Sequence, residues 1–350
     1  MLSGGRRGRG ELPSAFNTEK EILAQVQALG KDKAVVTGGA GFLGSHLVDA
    51  LMRLGYETSV IDNLSSGSIE NVKTWLGQQG FSFVRGDLKE RDGAWRSALR
   101  EADVVFHFAA NPEVRISSVE PRTHFDENIV ATFNILEAAR RADVDAFVFA
   151  SSSTVYGDPE TIPTPEDHPK KPISVYGASK LACEILIETY HGLYGIKALV
   201  LRYANVIGPR LTHGVIVDFI KKLKANPHEL EILGDGTQKK SYLHVDDAIS
   251  ATLHLSDLLL NGAFSCDVFN VGSEDWTSVV EIADIIVRAM GLSDVKYKFR
   301  PMTPDGRGWP GDVKLMLLDI SKLRRTGWEP GMRSREAVEK TVEELLSEGT

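Results

Sequence analysis

Cysteine is scarce in this chain: 350 residues carry only Cys183 and Cys266, far apart and in unlike contexts. That argues against a disulfide framework and makes a reducing, cytoplasmic compartment the default. Long apolar runs are missing too. No stretch reaches the ~18 residues of a membrane span, and the basic start, Met1 to Gly10, lacks the apolar core of a signal peptide. Positive charge is not in excess; the net charge is -8. That balance argues against nucleic acid or an anionic membrane as the main partner, although a few local Lys and Arg still suffice for a phosphate. The nine His show no metal-ligand spacing, so no metal is expected. Internal repeats are absent, and the Gly- and Arg-rich residues 1–17 read as a solvated tail. What remains is ordinary globular usage, 42% hydrophobic and 25% charged, with length enough for one large domain or two smaller ones.

Thr18 and Glu21 have capping-box spacing, and Ile22, Val26 and Leu29 share a stripe, so a short helix is expected up to Gly30. From Lys33 the chain alternates. Lys33 to Thr37, Thr58 to Ile61, Phe81 to Arg85, Val104 to Phe108, Ala146 to Ala150 and Leu199 to Tyr203 are apolar or β-branched runs. Helical patterns separate most of them, notably Phe42 to Leu54, Phe125 to Arg141 and Tyr176 to Tyr194. Continuous apolar strands between helices predict a parallel sheet covered on both faces. After Gly208 the elements shorten and Gly and Pro punctuate them. The expected organisation is an extension (1–32), a doubly wound α/β domain (33–207) and a smaller lobe (208–350), part of which returns to the first domain.

The first strand runs into Thr37-Gly38-Gly39-Ala40-Gly41-Phe42-Leu43-Gly44 and then a helix. Glycines in this G-x-x-G-x-x-G spacing allow a tight turn, close approach of the backbone to a pyrophosphate and close helix–strand packing. The free amides of the helix N-terminus then face the phosphate charge. Asp62 closes the second strand about 20 residues on, where a carboxylate accepts bonds from ribose hydroxyls and repels a 2′-phosphate. The pattern favours NAD over NADP.

Tyr176-Gly177-Ala178-Ser179-Lys180 sets a phenol and an amine four residues apart, on one helical face. A phenol with a pKa near 10 is a poor base at neutral pH, and a nearby ammonium or an oxidised nicotinamide favours its phenolate. About 25 residues earlier, Ser151-Ser152-Ser153-Thr154-Val155-Tyr156-Gly157 lies at the C-terminal end of a strand, where open α/β sheets hold ligands. One hydroxyl there could bond the substrate oxygen that Tyr176 deprotonates. His107 and His244 read as structural, His213 as a possible pocket residue, and Trp309 and Trp328 as packing residues.

Taken together, TGGAGFLG, Asp62-Asn63, Gly86-Asp87-Leu88, the HFAA of His107 to Ala110, SSSTVYG, YGASK and RYANVIGPR resemble the extended short-chain dehydrogenases/reductases. The likeness is greatest to the UDP-glucose 4-epimerase group and its archaeal-type members, and it covers about residues 33–345. It implies a Rossmann domain with a small C-terminal substrate lobe, bound NAD, a UDP-sugar substrate and a homodimer joined through the helices at Phe125–Arg141 and Tyr176–Tyr194. It implies Tyr176 as general base, Lys180 as ribose ligand and pKa modulator, and Ser152 as the catalytic hydroxyl, with Ser153 beside the sugar. Gly38, Gly41, Phe42, Leu43, Gly44, Asp62, Asn63, Asp87, Leu88, Phe108, Ala109, Ala110, Asn128 and Tyr203 would contact the cofactor. Asn205, Lys240, Arg307 and Met316 would contact the substrate.

Two departures stand out. Lys240 occupies a stretch where relatives carry Arg, and Lys holds a phosphate only as a point charge. Arg307 lies further from the Gly-Asp of the lobe than its counterparts do. One further position separates reactions within the family. Related dehydratases and decarboxylases carry an acid two residues before the Tyr-Gly of the Ser-rich motif. Here it is Thr154, whose hydroxyl cannot serve as an acid–base group near neutral pH. The expected reaction is therefore C4 epimerisation of a UDP-hexose (UDP-glucose/UDP-galactose, or the N-acetylated pair, since Met316 is small and pliable). The alternatives are a dehydratase, decarboxylase or reductase of sugar nucleotides, or a non-catalytic NAD-binding protein.

Overall fold

A computed structural model describes residues 33–348. The extension and its expected helix at Thr18–Gly30 lie outside them. Six strands follow the expected runs closely: β1 (Lys33–Thr37), β2 (Glu57–Asp62), β3 (Phe81–Arg85), β4 (Val104–His107), β5 (Ala146–Ser152) and β6 (Lys197–Tyr203). A seventh strand, Cys266–Val271, returns from the second half of the chain and pairs parallel with β6. The order across the sheet is Cys266–Val271, β6, β5, β4, β1, β2, β3, and every neighbour pair is parallel.

The continuous apolar runs have a direct cause. Successive side chains point to opposite faces, and both faces are covered. Val36, Val60, Phe106 and Val148 pack with Leu47 and Leu51 of the helix Phe42–Arg53 and with Ala248 and Leu255 of the helix Val245–Leu260. Val35, Ile61, Val105 and Phe147 pack on the other side with Ile135 of the helix Ala131–Arg141 and Ile187 of the helix Val175–Tyr194.

The chain turns in opposite directions from β1 toward β2 and toward β4, so a crevice opens above the C-terminal ends of β1 and β4. Over it sits a smaller layer built on a separate core, where helices Val215–Ala225, Val279–Ala289 and Ser334–Ser347 pack around Ile220, Leu230, Ile286 and Val342. Short strand pairs complete it: Glu229–Leu233 with Lys296–Arg300, and Asn205–Ile207 with Tyr242–His244.

Candidate active site

One cavity of about 530 Å³ runs along the C-terminal edge of the sheet and under the smaller layer. It collects nearly all of the expected site residues: Gly38, Gly41, Phe42, Leu43, Gly44, Asp62, Asn63, Asp87, Leu88, Phe108, Ala109, Ala110, Ser152, Ser153, Tyr176, Lys180, Tyr203, Asn205, Lys240 and Met316.

The glycines fit their positions closely. Gly38 has φ +68°, and a Cβ there would lie 2.7 Å from the Ala109 amide nitrogen. A Cβ at Gly44 would sit 2.1 Å from the Gly38 carbonyl oxygen. Backbone alone can therefore line this corner. Gly41 caps the helix Phe42–Arg53 without a side-chain bond, and first-turn amides have no intrahelical partner. Asp62 is set by two amides, Ala40 at 2.9 Å and Leu64 at 2.8 Å. Burial nonetheless raises its pKa, with those two bonds pulling it down. On the next loop, Asn134 donates to the Leu88 carbonyl at 2.7 Å and fixes the wall beside Asp87.

Tyr176 and Lys180 stand at the start of the helix Val175–Tyr194, which Ser174 caps by accepting from the Gly177 amide at 3.1 Å. Gly177 lets this helix approach the Ser-rich turn, because a Cβ there would lie 2.5 Å from the Thr154 carbonyl oxygen. Lys180 is buried, donates to the Ala150 carbonyl at 2.8 Å and lies 5.9 Å from the Tyr176 ring centroid. Burial pushes its pKa down to about 8, while Cys183 and Glu184 pull it up. Burial likewise pushes the Tyr176 phenol up to about 12, against a hydrogen bond from Ser152 that stabilises the phenolate. A phenol with so high a pKa would need positive charge beside it to act as a base, as an oxidised nicotinamide would supply.

Two expected site residues are not among those lining the cavity. Arg307 is bound by Asp158 at 2.8 and 2.9 Å, by Asp305 at 2.5 Å and by the Asp312 carbonyl at 2.5 Å. Its guanidinium joins two loops instead of facing the crevice. Asn128 is buried in a π-helical turn, Phe125–Val130. It accepts from the Asn111 amide at 2.9 Å and donates to Ser179 Oγ at 2.8 Å, and Ser179 donates to the Tyr176 carbonyl at 2.7 Å. It braces the helix that carries Tyr176. Lys240 does reach the cavity, but Asp312 holds its ammonium at 2.7 Å.

Other lining residues carried no motif. Glu113, Arg115, His213 and Trp309 face the same space. Trp309 thus lines the cavity, where packing alone was expected, and its Nε1 has no hydrogen-bond partner among the described residues. Arg115 is gripped by Glu113 at 2.7 and 2.9 Å. His107 is structural as expected: buried, with Thr37 Oγ1 at 2.7 Å and Thr132 Oγ1 at 2.9 Å on its two nitrogens. Among the described residues, no cluster of His, Cys, Asp or Glu could hold a metal ion.

The model of the NAD dependent epimerase/dehydratase family matches residues 34–272. The chain belongs to this family. NAD is its cofactor, and the glycine corner with Asp62 fits it. The epimerase/dehydratase members most like it include a putative UDP-glucose 4-epimerase of Methanocaldococcus jannaschii, 37% identical over 88% of this chain and 96% of the relative. A UDP-galactose 4-epimerase crystal structure superposes with TM-score 0.80 and 51% identity, over 90% of this chain and 99% of that one. The family also reaches other chemistry: UDP-glucuronic acid decarboxylase 6 of Arabidopsis thaliana is 31% identical over 93% of this chain and 91% of its own.

Proposed function

We propose that the protein interconverts UDP-hexoses at C4, UDP-glucose with UDP-galactose, through a transient 4-keto sugar. The observation that carries this reading is a hydroxyl, Thr154, at the cavity wall beside Ser152, Tyr176 and Lys180. Elimination and decarboxylation in related enzymes call for an acid at that position. A set of oxidation-competent residues without that acid is what epimerisation requires.

In this reading Gly38, Gly41, Phe42, Leu43 and Gly44 hold the cofactor's pyrophosphate, Asp62 and Asn63 its ribose, and Asp87 and Leu88 its adenine side. Phe108, Ala109, Ala110, Tyr203 and Lys180 hold the nicotinamide half. Held by these residues, NAD would supply the hydride acceptor and donor that inversion at C4 needs. Tyr176 takes the proton of the sugar 4-hydroxyl and later gives it back, with the Ser152 hydroxyl as the donor that supports its phenolate. Lys180 holds positive charge beneath the phenol. Asn205, Ser153 and Met316 border the sugar and its phosphates, with Lys240 as a point charge already neutralised in part by Asp312. The sugar must turn over between the two transfers, so the nucleotide is gripped and the hexose loosely held. No net redox occurs.

The protein is also read as a cytoplasmic homodimer. Phe133, Ile185, Leu193 and Tyr194 are exposed on the two helices expected at the interface. The decisive experiment is NMR of the products after incubation with UDP-glucose, and separately UDP-GlcNAc, without added NAD. Mixed gluco and galacto forms establish the reaction and show which sugar fits. Unchanged substrate in both tubes overturns the reading.

A further inference from the structure

The hydroxyl that distinguishes this chain from its acid-bearing relatives has hydrogen bonds of its own. Ser152 ends β5 and caps the tight turn Ser153–Tyr156. Its Oγ accepts twice from one residue: from the Thr154 amide at 3.2 Å and from the Thr154 Oγ1 hydroxyl at 3.0 Å. A serine oxygen has two lone pairs and one proton. With both lone pairs taken, the proton remains to donate, and Tyr176 lines the same cavity wall.

We propose that Thr154 is a positioning residue that acts through Ser152: by donating to its oxygen from both backbone and side chain, it turns the Ser152 proton toward the Tyr176 oxygen. This rests on the reading of Tyr176 as the base. A lone Ser–Tyr pair can bond in either sense, with Ser donating to the phenolate or the phenol donating to Ser. Only the first favours the ionised base. Two donors already on Ser152 Oγ exclude the second, because no lone pair is left to receive the phenol proton. The polarised Thr–Ser–Tyr chain also strengthens its last bond.

A second feature ties Thr154 to the same unit. The Thr154 carbonyl packs against Gly177, the residue next to Tyr176, so tightly that a Cβ at Gly177 would stand 2.5 Å away. The turn that aims Ser152 and the helix that carries Tyr176 therefore seat one another. Ser152, Thr154 and Tyr176 line one stretch of the cavity, and the Ser152 hydroxyl pulls the Tyr176 pKa down against burial.

Thr154→Val keeps the branched shape and the amide bond and removes only the hydroxyl donor; Thr154→Ser keeps the donor and loses the methyl. Two readouts separate positioning from packing. The first is UV difference titration of the NAD-bound protein, each form against its own Tyr176→Phe partner, which isolates the Tyr176 phenolate. The pKa of Tyr176 rises by about one unit in Thr154→Val, a tenfold change, and much less in Thr154→Ser. The second is turnover. Thr154→Val lowers kcat about tenfold with KM and retained NAD little changed, its rising pH limb moves to higher pH, and Thr154→Ser recovers most of the loss. An unmoved Tyr176 pKa in Thr154→Val overturns the proposal, as does an equal rise in both variants, which would assign the effect to the methyl. If Val fails to pack, Thr154→Ala gives the same comparison. The titration needs no sugar nucleotide, so a protein inactive on UDP-hexoses would sink the proposed reaction while the phenolate pKa still judges Thr154.

Discussion

Tyr176 enters the cavity from the first turn of a capped helix, with Lys180 one turn below it and Ser152 across from it. Removing one oxygen tests its role. Tyr176→Phe should cut turnover by about 10²–10⁴-fold, the range of general acid–base catalysis, while the purified protein keeps its NAD; full activity in that variant would make the residue a bystander. His107 supplies a pH test at the same scale. Burial first, and the Lys180 charge second, push its pKa down to about 3 from 6.5. Between those values the unfolded chain takes up a proton that the folded one refuses, so stability falls as pH drops through the window. His107→Asn should flatten the slope of the thermal midpoint between pH 6.5 and 3; an unchanged slope assigns the acid lability elsewhere. The residues proposed to react were legible as candidates because the proposed chemistry needs fixed spacings: Tyr176 and Lys180 one turn apart, Ser152 at a strand end. Arg307 was misplaced because its charge is satisfied by Asp158 and Asp305, partners that no local spacing shows. Trp309 and Arg115 were missed as cavity residues for the same reason: what brings them to the crevice is the closure of the smaller layer.

Among elements, close backbone approach is what the cradle depends on. Gly44→Ala puts a Cβ about where the Gly38 carbonyl stands, 2.1 Å away. The helix Phe42–Arg53 must retreat from β1, costing roughly 1–3 kcal/mol of stability as overpacking does and releasing NAD, as absorbance of the purified protein would show. Retained cofactor would mean that the corner is softer than its geometry. Behind the Ser-rich strand lies a buried chain that no motif announces. Ser151 donates to Glu184 at 2.5 Å, Glu184 pairs with Arg202 at 2.6 Å, and Arg202 donates to the Tyr156 hydroxyl at 2.8 Å. Tyr156 in turn donates to Asn270 at 2.7 Å, on the returning strand. Arg202→Met strands a buried carboxylate and should cost about 3–5 kcal/mol by chemical denaturation, with Glu184→Leu added to it recovering part of the loss. The strands themselves were legible because burial on both faces forces continuous apolar runs. Their ends were less so: β5 continues through Ser151 and Ser152 into the site, where polar residues hide the strand.

At the scale of the whole molecule, the first half of the fold could be read from alternation; of the second, a return to the first domain was expected, but the strand that makes it was not legible. Cys266–Val271 belongs to the sheet through its pairing with β6, a contact between distant parts of the chain. The helix faces carrying Ile185 and Leu193, 57% and 67% exposed, support the proposed dimer. Ile185→Glu with Leu193→Glu should halve the mass measured by light scattering and leave the cofactor bound; an unchanged dimer would place the interface elsewhere. The central claim is that the sugar's own C4 hydrogen leaves and returns inside one closed site. UDP-galactose carrying deuterium at C4, incubated in ordinary water without added NAD, tests it directly. The account predicts UDP-glucose that keeps the deuterium at C4. Product carrying protium there, or no UDP-glucose at all, would contradict it.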